Sequence, residues 1–525
     1  MSERGETRVT RVCVPVCVGR ADELRPAAAR AAGLADVVEL RLDCLGEEQL
    51  AAALAQLPAL LTETGRAFII TNRPREQGGG RDAGADERLA FWRTLPASLR
   101  GAGGRERVFV DLELDLLESP RAGSLRELFT RFRVICSHHD FRETPAGLGD
   151  IFERMARTPA DILKIATRAN SVTDCVEVMG LCERGRRAGR EVIAVAMGEA
   201  GLLTRVLAPA FGAFLTFGSL DAARATAPGQ VGARELRDLY RVDGLSAGTR
   251  VTGLVGSPVG HSLSPHIHNA AYAALGLDAV YIPFEVADVR AFVRRMADPR
   301  TRELGWDLRG LSVTAPHKQS VMPLLDRVSP VAARVGAVNT VVVSEARGLE
   351  GFNTDAEASV APLEGLVGLK GARVAVLGAG GAARALLWAL GERGARAAVF
   401  ARDAERGRKL AGEFGAGSAA LEGASFGGFD VVVNATPLGT RGAREAETPA
   451  GAGQLRGAGV AYDLVYNPAR TRFLEEARAA GCRTVGGLGM LVAQAGEQFR
   501  LWTGREPPRA VMLAAAEGQL SEVGS

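Results

Sequence analysis

The chain has 525 residues, more than one hydrophobic core can organise, so its length predicts roughly two to four domains. Apolar residues make up 47% and charged residues 24%, which is ordinary globular usage and argues against intrinsic disorder. The net charge of +3 gives no reason to expect nucleic acid or an anionic membrane as a partner.

Eight short apolar runs alternate with helix-like stretches between residues 8 and 240. The runs are 12–18, 37–42, 68–71, 108–112, 134–137, 162–166, 192–197 and 213–217. Short runs of this kind are typical of parallel strands that are buried on both faces. Eight strand–helix units in this length predict an N-terminal (β/α)8 TIM barrel.

The rest of the chain predicts a two-lobed α/β domain. Residues 241–249 contain two glycines and no sustained apolar pattern, so we place the domain boundary there. A front lobe is expected at 250–355, with a C-terminal helix at about 488–505 packing back on it. A sharp glycine-rich break at 377–381 indicates a Rossmann lobe at about 370–480.

The lack of membrane-spanning and export signals, together with the cysteine pattern, predicts a cytoplasmic protein. No apolar run of about 18 residues predicts a transmembrane helix, and the N-terminal residues lack a signal-peptide core. The seven cysteines are odd in number and contain no C-x-x-C pair, which favours reduced thiols packed as small apolar groups.

Lysine is rare in this chain, and its few positions are therefore informative. Of the 64 basic residues only four are lysines, namely Lys164, Lys318, Lys370 and Lys409. Arginine cannot lose its proton at working pH, whereas lysine can. A lysine in such an arginine-rich chain is therefore a candidate for acid–base or nucleophilic chemistry.

Polar residues end six consecutive predicted barrel strands, where the active sites of such barrels form. Lys164 interrupts an apolar strand and can attack a ketone to form an imine once it is uncharged. Three nearby cations would favour loss of its proton and would bind a substrate carboxylate: Arg41, Arg73 and Arg205. His139 supplies a general acid and base. These residues predict Schiff-base lyase or aldolase chemistry on a keto acid.

The strings V-E-L-R-L-D, D-L-E-L, S-H-H-D-F, D-I-L-K-I-A and T-A-P-G-Q, in this order, resemble type I 3-dehydroquinate dehydratase. The resemblance implies that Lys164 forms the Schiff base and that His139, assisted by Glu113, moves the proton as water leaves. It implies that the substrate is held by Glu39, Arg41, Arg73, Arg205, Thr226 and Gln230. Gln77 stands where the family usually has a glutamate, with Glu76 beside it, and Thr226 stands where serine is common.

A glycine-rich turn after a clean strand predicts a dinucleotide site in the second domain. The turn allows backbone N–H groups to approach a pyrophosphate at a helix N-terminus. Arg402 and Arg406 follow the next strand, where an NAD site would show an acidic residue, so we predict NADP(H). Asp403 between them would repel a 2′-phosphate unless the arginines neutralise it. Lys318 and Asp355 can position and protonate an alcohol oxygen during hydride transfer.

The strings G-S-P-V-G-H-S-L-S-P, S-V-T-A-P-H-K, N-A-T-P-L-G and G-M-L-V-A-Q resemble shikimate dehydrogenase from about residue 250 to 505. The resemblance implies Lys318 and Asp355 as the catalytic pair. It implies shikimate-binding roles for Ser262, Ser264, Thr314, Asn339, Tyr466 and Gln494. It implies cofactor contacts from Gly378, Ala379, Gly380, Gly381, Ala382, Arg402, Arg406, Asn434, Thr436, Gly487 and Met490. The family usually shows Asn-Arg-Thr where this chain has Ala401-Arg402-Asp403.

Together the two resemblances imply a bifunctional enzyme of the shikimate pathway. It would dehydrate 3-dehydroquinate and then reduce the product, 3-dehydroshikimate, to shikimate with NADPH. We expect small-molecule substrates and no metal, nucleic acid or membrane partner, and a homodimer stays open.

Three alternatives stay open beside this hypothesis. One is a quinate-preferring or NAD-linked dehydrogenase. Another is a chain in which only one of the two activities is present, with Gln77 inactivating the barrel. The third is a metabolite-binding regulator on the same folds, which would be expected to lack some of the four reactive residues that this chain retains: Lys164, His139, Lys318 and Asp355.

Overall fold

The structure is a computed structural model that describes residues 10–99, 104–221, 226–227 and 229–524. The chain divides into two compact units. The first comprises Met1–Arg250 with Phe284–Met296 and Thr301–Asp307, and the second comprises Val251–Pro283, Ala297–Arg300 and Leu308–Ser525. Two segments of the predicted front lobe therefore group with the first unit.

The first unit contains an eight-stranded parallel sheet. Its strands are β1 (Arg11–Val16), β2 (Val37–Arg41), β3 (Ala67–Thr71), β4 (Val108–Glu113), β5 (Arg133–Asp140), β6 (Ile162–Arg168), β7 (Glu191–Met197) and β8 (Leu215–Phe217). They pair in the order β7-β6-β5-β4-β3-β2-β1-β8. The N–H of Phe214 donates to the carbonyl of Val192 at 2.8 Å and links β8 to β7. The predicted TIM barrel is confirmed.

Helices connect the barrel strands. They are α1 (Ala21–Ala32), α2 (Glu47–Thr64), α3 (Ala85–Ser98), α4 (Leu114–Glu118), α5 (Arg126–Arg131), α6 (Leu148–Ala156), α7 (Cys175–Arg187), α8 (Leu202–Val206) and α9 (Ala233–Asp238). Their apolar residues, such as Leu24 in α1 and Met179 in α7, are buried. Burial of this kind holds helices against the outer face of a barrel sheet.

The strand period places apolar and polar side chains at different depths in the barrel interior. One buried cluster contains Val37, Ile69, Phe109, Ile135 and Ile162, each from a different strand. Side chains alternate along a strand, so the residues two positions further on point to the same interior. These are Glu39, Thr71, Asp111, Ser137 and Lys164, and all five are buried. The polar set therefore lies on the carboxyl-terminal side of the apolar set.

The second unit is built around two six-stranded sheets. The first consists of β9 (Arg250–Gly256), β10 (Ala279–Glu285), β11 (Asp307–Val313), β12 (Arg327–Val328), β13 (Thr340–Ser344) and β14 (Gly348–Phe352), in the order β10-β9-β11-β13-β14-β12. The other consists of β15 (Arg373–Leu377), β16 (Arg396–Ala401), β17 (Gly417–Ala420), β18 (Val431–Asn434), β19 (Val460–Asp463) and β20 (Arg483–Val485), all parallel, in the order β17-β16-β15-β18-β19-β20. The second order is that of a Rossmann sheet, as predicted.

The helices from Ser264 to the C-terminus complete both lobes. They are α10 (Ser264–Ala274), α11 (Val289–Phe292), α12 (Pro330–Val335), α13 (Asp355–Glu364), α14 (Gly381–Glu392), α15 (Ala404–Glu413), α16 (Ala452–Leu455), α17 (Arg472–Ala479), α18 (Leu488–Thr503) and α19 (Arg509–Gly524). As predicted, α18 packs on the front lobe, where Phe499 joins Ile267 and Tyr272 in one cluster. Helix α19 was not predicted, and its Met512 is buried in the same cluster. Within the described residues no helix is long and apolar enough to cross a membrane.

Candidate active sites

The amine of Lys164 lies between two carboxylates at the centre of the barrel. Its Nζ is 2.8 Å from Oδ2 of Asp111 and 3.3 Å from Oε1 of Glu39. The same nitrogen lies 4.6 Å from the ring centroid of Phe217. Of the three arginines predicted near this amine, Arg73 shares a partner with it, because both donate to Oδ2 of Asp111. The sequence places Asp111 and Glu39 on other strands, and only closure of the sheet brings them to the lysine.

Arg73 links the carboxylate layer to His139. Its Nη2 donates to Oδ2 of Asp111 at 2.7 Å, and its Nη1 lies 2.7 Å from Nδ1 and 2.9 Å from Nε2 of His139. Burial and the positive charges of Arg73 and Lys164 hold the pKa of His139 well below its ordinary value. His139 is therefore a neutral imidazole near pH 7, and it can accept a proton.

Glu113 is held by an arginine that the sequence analysis did not single out. Nη1 of Arg88, in the first turn of α3, donates to Oε2 of Glu113 at 2.9 Å, and both residues are buried. Burial raises the pKa of Glu113 to about 7, with Asp111 raising it further and Arg73 and Arg88 opposing the shift. Among the described residues Oε1 has no hydrogen-bond partner. The expected assistance to His139 is thus not a hydrogen bond in this structure.

Arg205 is a buried cation without an acidic partner in the described residues. It is 1% exposed, and its Nη1 donates to the carbonyl of Phe217 at 3.4 Å. Its Nε and Nη2 have no hydrogen-bond partner among the described groups, and burial lowers its pKa to about 10. A buried guanidinium in this condition is costly unless an anion joins it.

Hydrogen bonds at the strand ends hold the remaining residues that were predicted to bind the substrate of the barrel. Arg41 donates to Oδ2 of Asp43 at 2.7 Å, and the same oxygen accepts from the N–H of Gly80 at 3.0 Å. Oε1 of Gln230 accepts from the N–H of Thr226 at 2.8 Å. Arg41 and Thr226 line one cavity of about 740 Å³ together with Gly78, Gly79 and Gly80.

The Gln77 substitution has a structural role in this chain. Oε1 of Gln77 accepts a hydrogen bond from the backbone N–H of His139 at 2.9 Å. A glutamate could accept the same bond, so the amide preserves this contact without adding a charge beside His139. Glu76 lies next to Gln77 in the same short turn.

Asp111 and Arg88 are the site residues that sequence reasoning missed. Asp111 lies two residues before Glu113 on β4, so the strand period puts both on one face. That alternation was a usable signal for Asp111. Arg88 lies in a helix with one other arginine, Arg93, and only its burial distinguishes it.

Two cysteines beside the barrel mouth form a disulfide, which contradicts the expectation of seven reduced thiols. Cys17 and Cys44 are bonded, with their Cα atoms 5.6 Å apart. Strands β1 and β2 are parallel neighbours, so the residues that follow them meet at one edge of the barrel. The other five cysteines are unpaired and buried.

The second unit joins Lys318 to Asp355. Nζ of Lys318 donates to Oδ2 of Asp355 at 2.6 Å, and the Lys318 side chain is 21% exposed. Asp355 is the first residue of α13. The aliphatic chain of Lys318 approaches the dinucleotide turn, because a Cβ on Gly381 would lie 3.5 Å from its Cδ. An acid–base pair therefore lies beside the predicted dinucleotide turn.

Hydrogen bonds hold several of the predicted substrate-binding residues of this unit. Nδ2 of Asn339 donates to Oγ1 of Thr354 at 3.0 Å, and its Oδ1 accepts from the N–H of Thr354 at 2.8 Å. The Ser262 hydroxyl hydrogen-bonds the phenol of Tyr466, and burial raises the pKa of that tyrosine. The other predicted substrate contacts are also placed: Ser264 begins α10, Thr314 directly follows β11, and Gln494 lies in α18.

Gln498 ties α18 to the sheet of the front lobe and was not predicted. Its Oε1 accepts from Ser312 at 2.8 Å, and its Nε2 donates to Oγ1 of Thr340 at 3.1 Å. Tyr281 donates to the same Ser312 hydroxyl at 2.8 Å. The network supports Asn339, because Thr340 also donates to Oδ1 of Asn339 at 2.8 Å.

The turn after β15 fits a dinucleotide. Gly378 has φ +113°, and a Cβ there would lie 2.9 Å from Cγ2 of Thr436 and 3.0 Å from the carbonyl of Ala435, so a side chain is excluded. Gly380 precedes α14 as its N-cap, and nothing lies within 4 Å of the position of its absent Cβ. Open space in front of the N-terminal N–H groups of a 12-residue helix suits a pyrophosphate. The turn also contains Ala379, Gly381 and Ala382.

The predicted phosphate clamp lies at the start of α15. Arg402 and Arg406 are exposed. Asp403 caps the helix, and its Oδ1 accepts from the N–H of Arg406 at 3.0 Å. The carboxylate is therefore engaged by a backbone donor, which explains its presence between two cations.

The remaining cofactor candidates shape the loops around the turn. Asn434 donates to Asp463 at 2.9 Å and accepts from Oγ1 of Thr436 at 2.6 Å, so its side chain builds the loop after β18. A Cβ on Gly487 would lie 2.5 Å from the carbonyl of Leu464. Met490 is buried against the core of the Rossmann lobe. Within the described residues, no group of three or more His, Cys, Asp or Glu is arranged to hold a metal ion.

Comparisons with known proteins agree with this arrangement. Family models match for type I 3-dehydroquinase at residues 12–247, the shikimate dehydrogenase substrate binding domain at 254–341 and the shikimate 5′-dehydrogenase C-terminal domain at 487–517. The bifunctional 3-dehydroquinate dehydratase/shikimate dehydrogenase, chloroplastic, of Arabidopsis thaliana is 33% identical over 519 residues, which cover 95% of this chain and 83% of that protein.

Two further relatives each match about half of the chain. The shikimate dehydrogenase (NADP(+)) of Oleidesulfovibrio alaskensis is 47% identical over 261 residues, covering 49% of this chain and 91% of that protein. The structure of shikimate 5-dehydrogenase from Thermus thermophilus in complex with NADP(H) and shikimate is 41% identical, with a TM-score of 0.45, and the match covers 51% of this chain and 99% of that chain. This chain belongs to the family of bifunctional 3-dehydroquinate dehydratase/shikimate dehydrogenases.

Proposed function

We propose that the barrel dehydrates 3-dehydroquinate through an imine on Lys164. The observation that carries the proposal is a buried amine in contact with carboxylates, beside the neutral base His139. The ammonium first releases its proton, for which the Glu39 carboxylate is the contacting acceptor. Against the effect of burial, Arg73 and Lys164 hold the pKa of Asp111 well below its ordinary value, so Asp111 stays ionised. Nζ then attacks the ring ketone, and loss of water forms the C=N bond.

Elimination then needs one base that becomes an acid. His139 accepts the proton from the carbon beside the imine, and the electron pair of that C–H bond forms the new C=C bond as the C–O bond breaks. The hydroxide leaves with the proton from His139 as water. The Glu113 carboxylate stabilises the imidazolium electrostatically, and hydrolysis of the imine restores Lys164. Arg205 is the proposed partner of the substrate carboxylate because its Nε and Nη2 lack partners among the described groups. Glu39, Arg41, Arg73, Thr226 and Gln230 complete the proposed substrate contacts.

Borohydride trapping tests this proposal. The full chain incubated with 3-dehydroquinate and borohydride is expected to gain a reduced adduct at Lys164, located by peptide mass spectrometry. Lys164→Ala should give no adduct and no dehydration. Lys409→Ala, a lysine in α15 of the second unit, is the matched control and should behave as wild type. Water loss without any adduct at residue 164 would overturn the proposal.

We propose that the second unit reduces 3-dehydroshikimate to shikimate with NADPH. The supporting observation is the 2.6 Å contact between Lys318 and Asp355 beside the glycine-rich turn. Bound NADPH supplies a hydride to the carbonyl carbon. Lys318 donates a proton to the resulting alkoxide oxygen, Asp355 holds the ammonium in position, and a proton from solvent afterwards restores the charge of Lys318. Ser262, Ser264, Thr314, Asn339, Tyr466 and Gln494 are the proposed hydrogen-bonding groups for the ring substituents.

Coupled turnover tests the two activities together. Feeding 3-dehydroquinate with NADPH should produce shikimate, and neither Lys164→Ala nor Lys318→Met should complete the sequence. Mixing these two variants should restore it. Shikimate and quinate assayed with NADP and with NAD decide between the proposed enzyme and a quinate-preferring or NAD-linked one. Arg402→Ala combined with Arg406→Ala should raise the KM for NADP more than the KM for NAD.

Three further features remain proposals. We propose a metal-free mechanism, tested by undiminished activity after chelation. We propose a cytoplasmic location, which the five unpaired cysteines favour and the Cys17–Cys44 disulfide opposes, and cell fractionation tests it. The proposed partners are small molecules without nucleic acid or membranes, and light scattering decides whether the chain forms a homodimer.

A further inference from the structure

Arg88 contacts the barrel site but was not among the residues predicted to form it. It lies in the first turn of α3, and it is only 2% exposed although it is charged. Its Nη1 donates to Oε2 of Glu113 at 2.9 Å and to Oδ1 of Asp115 at 3.2 Å, and its Nη2 donates to Oδ2 of Asp115 at 2.5 Å. The helix therefore places one cation between two carboxylates that lie close together in the chain, at the end of β4 and just after it.

The two carboxylates of this cluster differ in exposure. The side chain of Asp115 is 55% exposed, whereas Glu113 is fully buried. An exposed ion pair contributes little stability, and water can screen Asp115 without Arg88. For Glu113, burial means that the guanidinium decides both its orientation and the cost of its charge.

The two carboxylate oxygens of Glu113 differ in their hydrogen bonding. Oε2 is fixed by Arg88, while Oε1 is buried and lacks a hydrogen-bond partner among the described groups. The charged groups that face Glu113 are Asp111 on its own strand, Arg73 after β3 and Arg88 from α3. On the β5 side its register partner is the uncharged Ser137. These two cations therefore oppose burial and the negative charge of Asp111.

We propose that Arg88 is a positioning residue of the dehydration reaction, which holds Oε2 of Glu113 in place and favours the ionised carboxylate, while Oε1 has no hydrogen-bond partner among the described groups. The inference rests on the proposed dehydratase function of the barrel. It assigns a role to α3, which contributes no group to the proposed substrate contacts. Without Arg88, burial and Asp111 would be opposed by Arg73 alone, and the pKa of Glu113 would rise above its value of about 7.

The pH profile of dehydration tests this role with the full-length chain. In Arg88→Met the acidic limb of kcat/KM should move upward by about one pH unit or more, because an adjacent opposite charge is lost. The activity at pH 7 should then fall on the order of ten-fold and recover towards wild type at higher pH. Arg88→Gln keeps a donor but no charge and should move the limb in the same direction. Arg88→Lys keeps the charge and should leave the limb near its wild-type position.

Two controls separate positioning from folding. Arg93→Met removes another α3 arginine, whose contacts to Ser124 are exposed, and it should leave the profile unchanged. In a Glu113→Gln background, Arg88→Met should produce no further displacement of the limb. The dehydrogenase activity of each variant reports that the second unit is folded, and a thermal melt reports on the chain as a whole.

The possible results decide between three conclusions. A lower melting temperature in Arg88→Met and Arg88→Gln with an unmoved acidic limb would show a purely structural residue and overturn the inference. A limb displaced equally in Arg88→Lys would also overturn it, because the charge would then be irrelevant. Absence of both dehydration and a Lys164 adduct in the wild type would instead refute the proposed dehydratase function itself.

Discussion

Nη1 of Arg73 lies 2.7 Å from Nδ1 of His139, so a permanent cation is in direct contact with the imidazole that is proposed as the catalytic base. The contact favours the neutral ring, because a second positive charge at this distance would be repelled. The same guanidinium holds Asp111, which in turn contacts Lys164. The base and the nucleophile are therefore joined through one arginine and one aspartate.

Replacing Arg73 should raise the pKa of His139. In Arg73→Met the burial of the ring remains, so the pKa should rise towards its ordinary value near 6.5 without exceeding it. NMR titration of histidine nitrogens in the ligand-free chain measures this. His138, whose pKa burial lowers without a contribution from Arg73, is the internal reference and should not move. An unchanged His139 would contradict the proposed electrostatic link.

The ionisation of Glu113 should lower the free energy of unfolding as pH rises. Its pKa is raised from 4.5 to about 7 in the folded state, so the native protein binds a proton between these values that the unfolded chain has released. The free energy of unfolding should therefore fall from pH 4.5 to 7, by about 3 kcal/mol at most from this group. Urea unfolding of wild type and Glu113→Gln at about pH 5 and pH 8 tests this, and the variant should lose less stability across the interval.

Asp355→Asn should impair the dehydrogenase selectively. The amide keeps the size of the side chain but removes the charge that holds Lys318 at 2.6 Å. Loss of a positioned proton donor should lower kcat for shikimate oxidation by about 100-fold or more. Dehydration of 3-dehydroquinate, measured without NADPH, should stay at the wild-type rate. Parallel loss of both activities would indicate a folding defect.

Gly378→Ala should damage the nucleotide site more than the fold. A Cβ at φ +113° would meet Thr436 and the carbonyl of Ala435, and the turn would have to open. The KM for NADPH should rise, while dehydration continues. Gly391→Ala in α14 is the matched control, because nothing lies within 4 Å of its absent Cβ. That change should stabilise the chain by about 0.5–1 kcal/mol and leave the KM unchanged.

Thiol alkylation should distinguish the disulfide-bonded cysteines from the free ones. Alkylation of the denatured, unreduced chain should label five thiols, and reduction should expose two more, at Cys17 and Cys44. Cys44 directly follows Asp43, which holds Arg41 and Gly80. Cys44→Ser should therefore raise the KM for 3-dehydroquinate, whereas Cys482→Ser in the second unit should not. Seven labelled thiols without reduction would refute the disulfide.

The fold and most of the candidate site follow from local patterns in the sequence. Eight apolar runs of strand length predict the barrel, because parallel strands buried on both faces must be apolar throughout. A lysine inside one such run identifies residue 164, and a glycine turn between strand and helix identifies residues 378–381. These signals are contiguous in the chain and need no knowledge of distant residues.

Tertiary structure alone decided which charges meet. The direct contacts of Lys164 are Asp111 and Glu39, which lie on β4 and β2, and Arg73 is joined to it through Asp111. Arg88 meets Glu113 across 25 residues of sequence, and Cys17 meets Cys44 across 27. The sign and strength of an electrostatic interaction depend on distances of a few ångströms and on burial. Sheet register and barrel closure set those distances, and no local pattern in the sequence contains them.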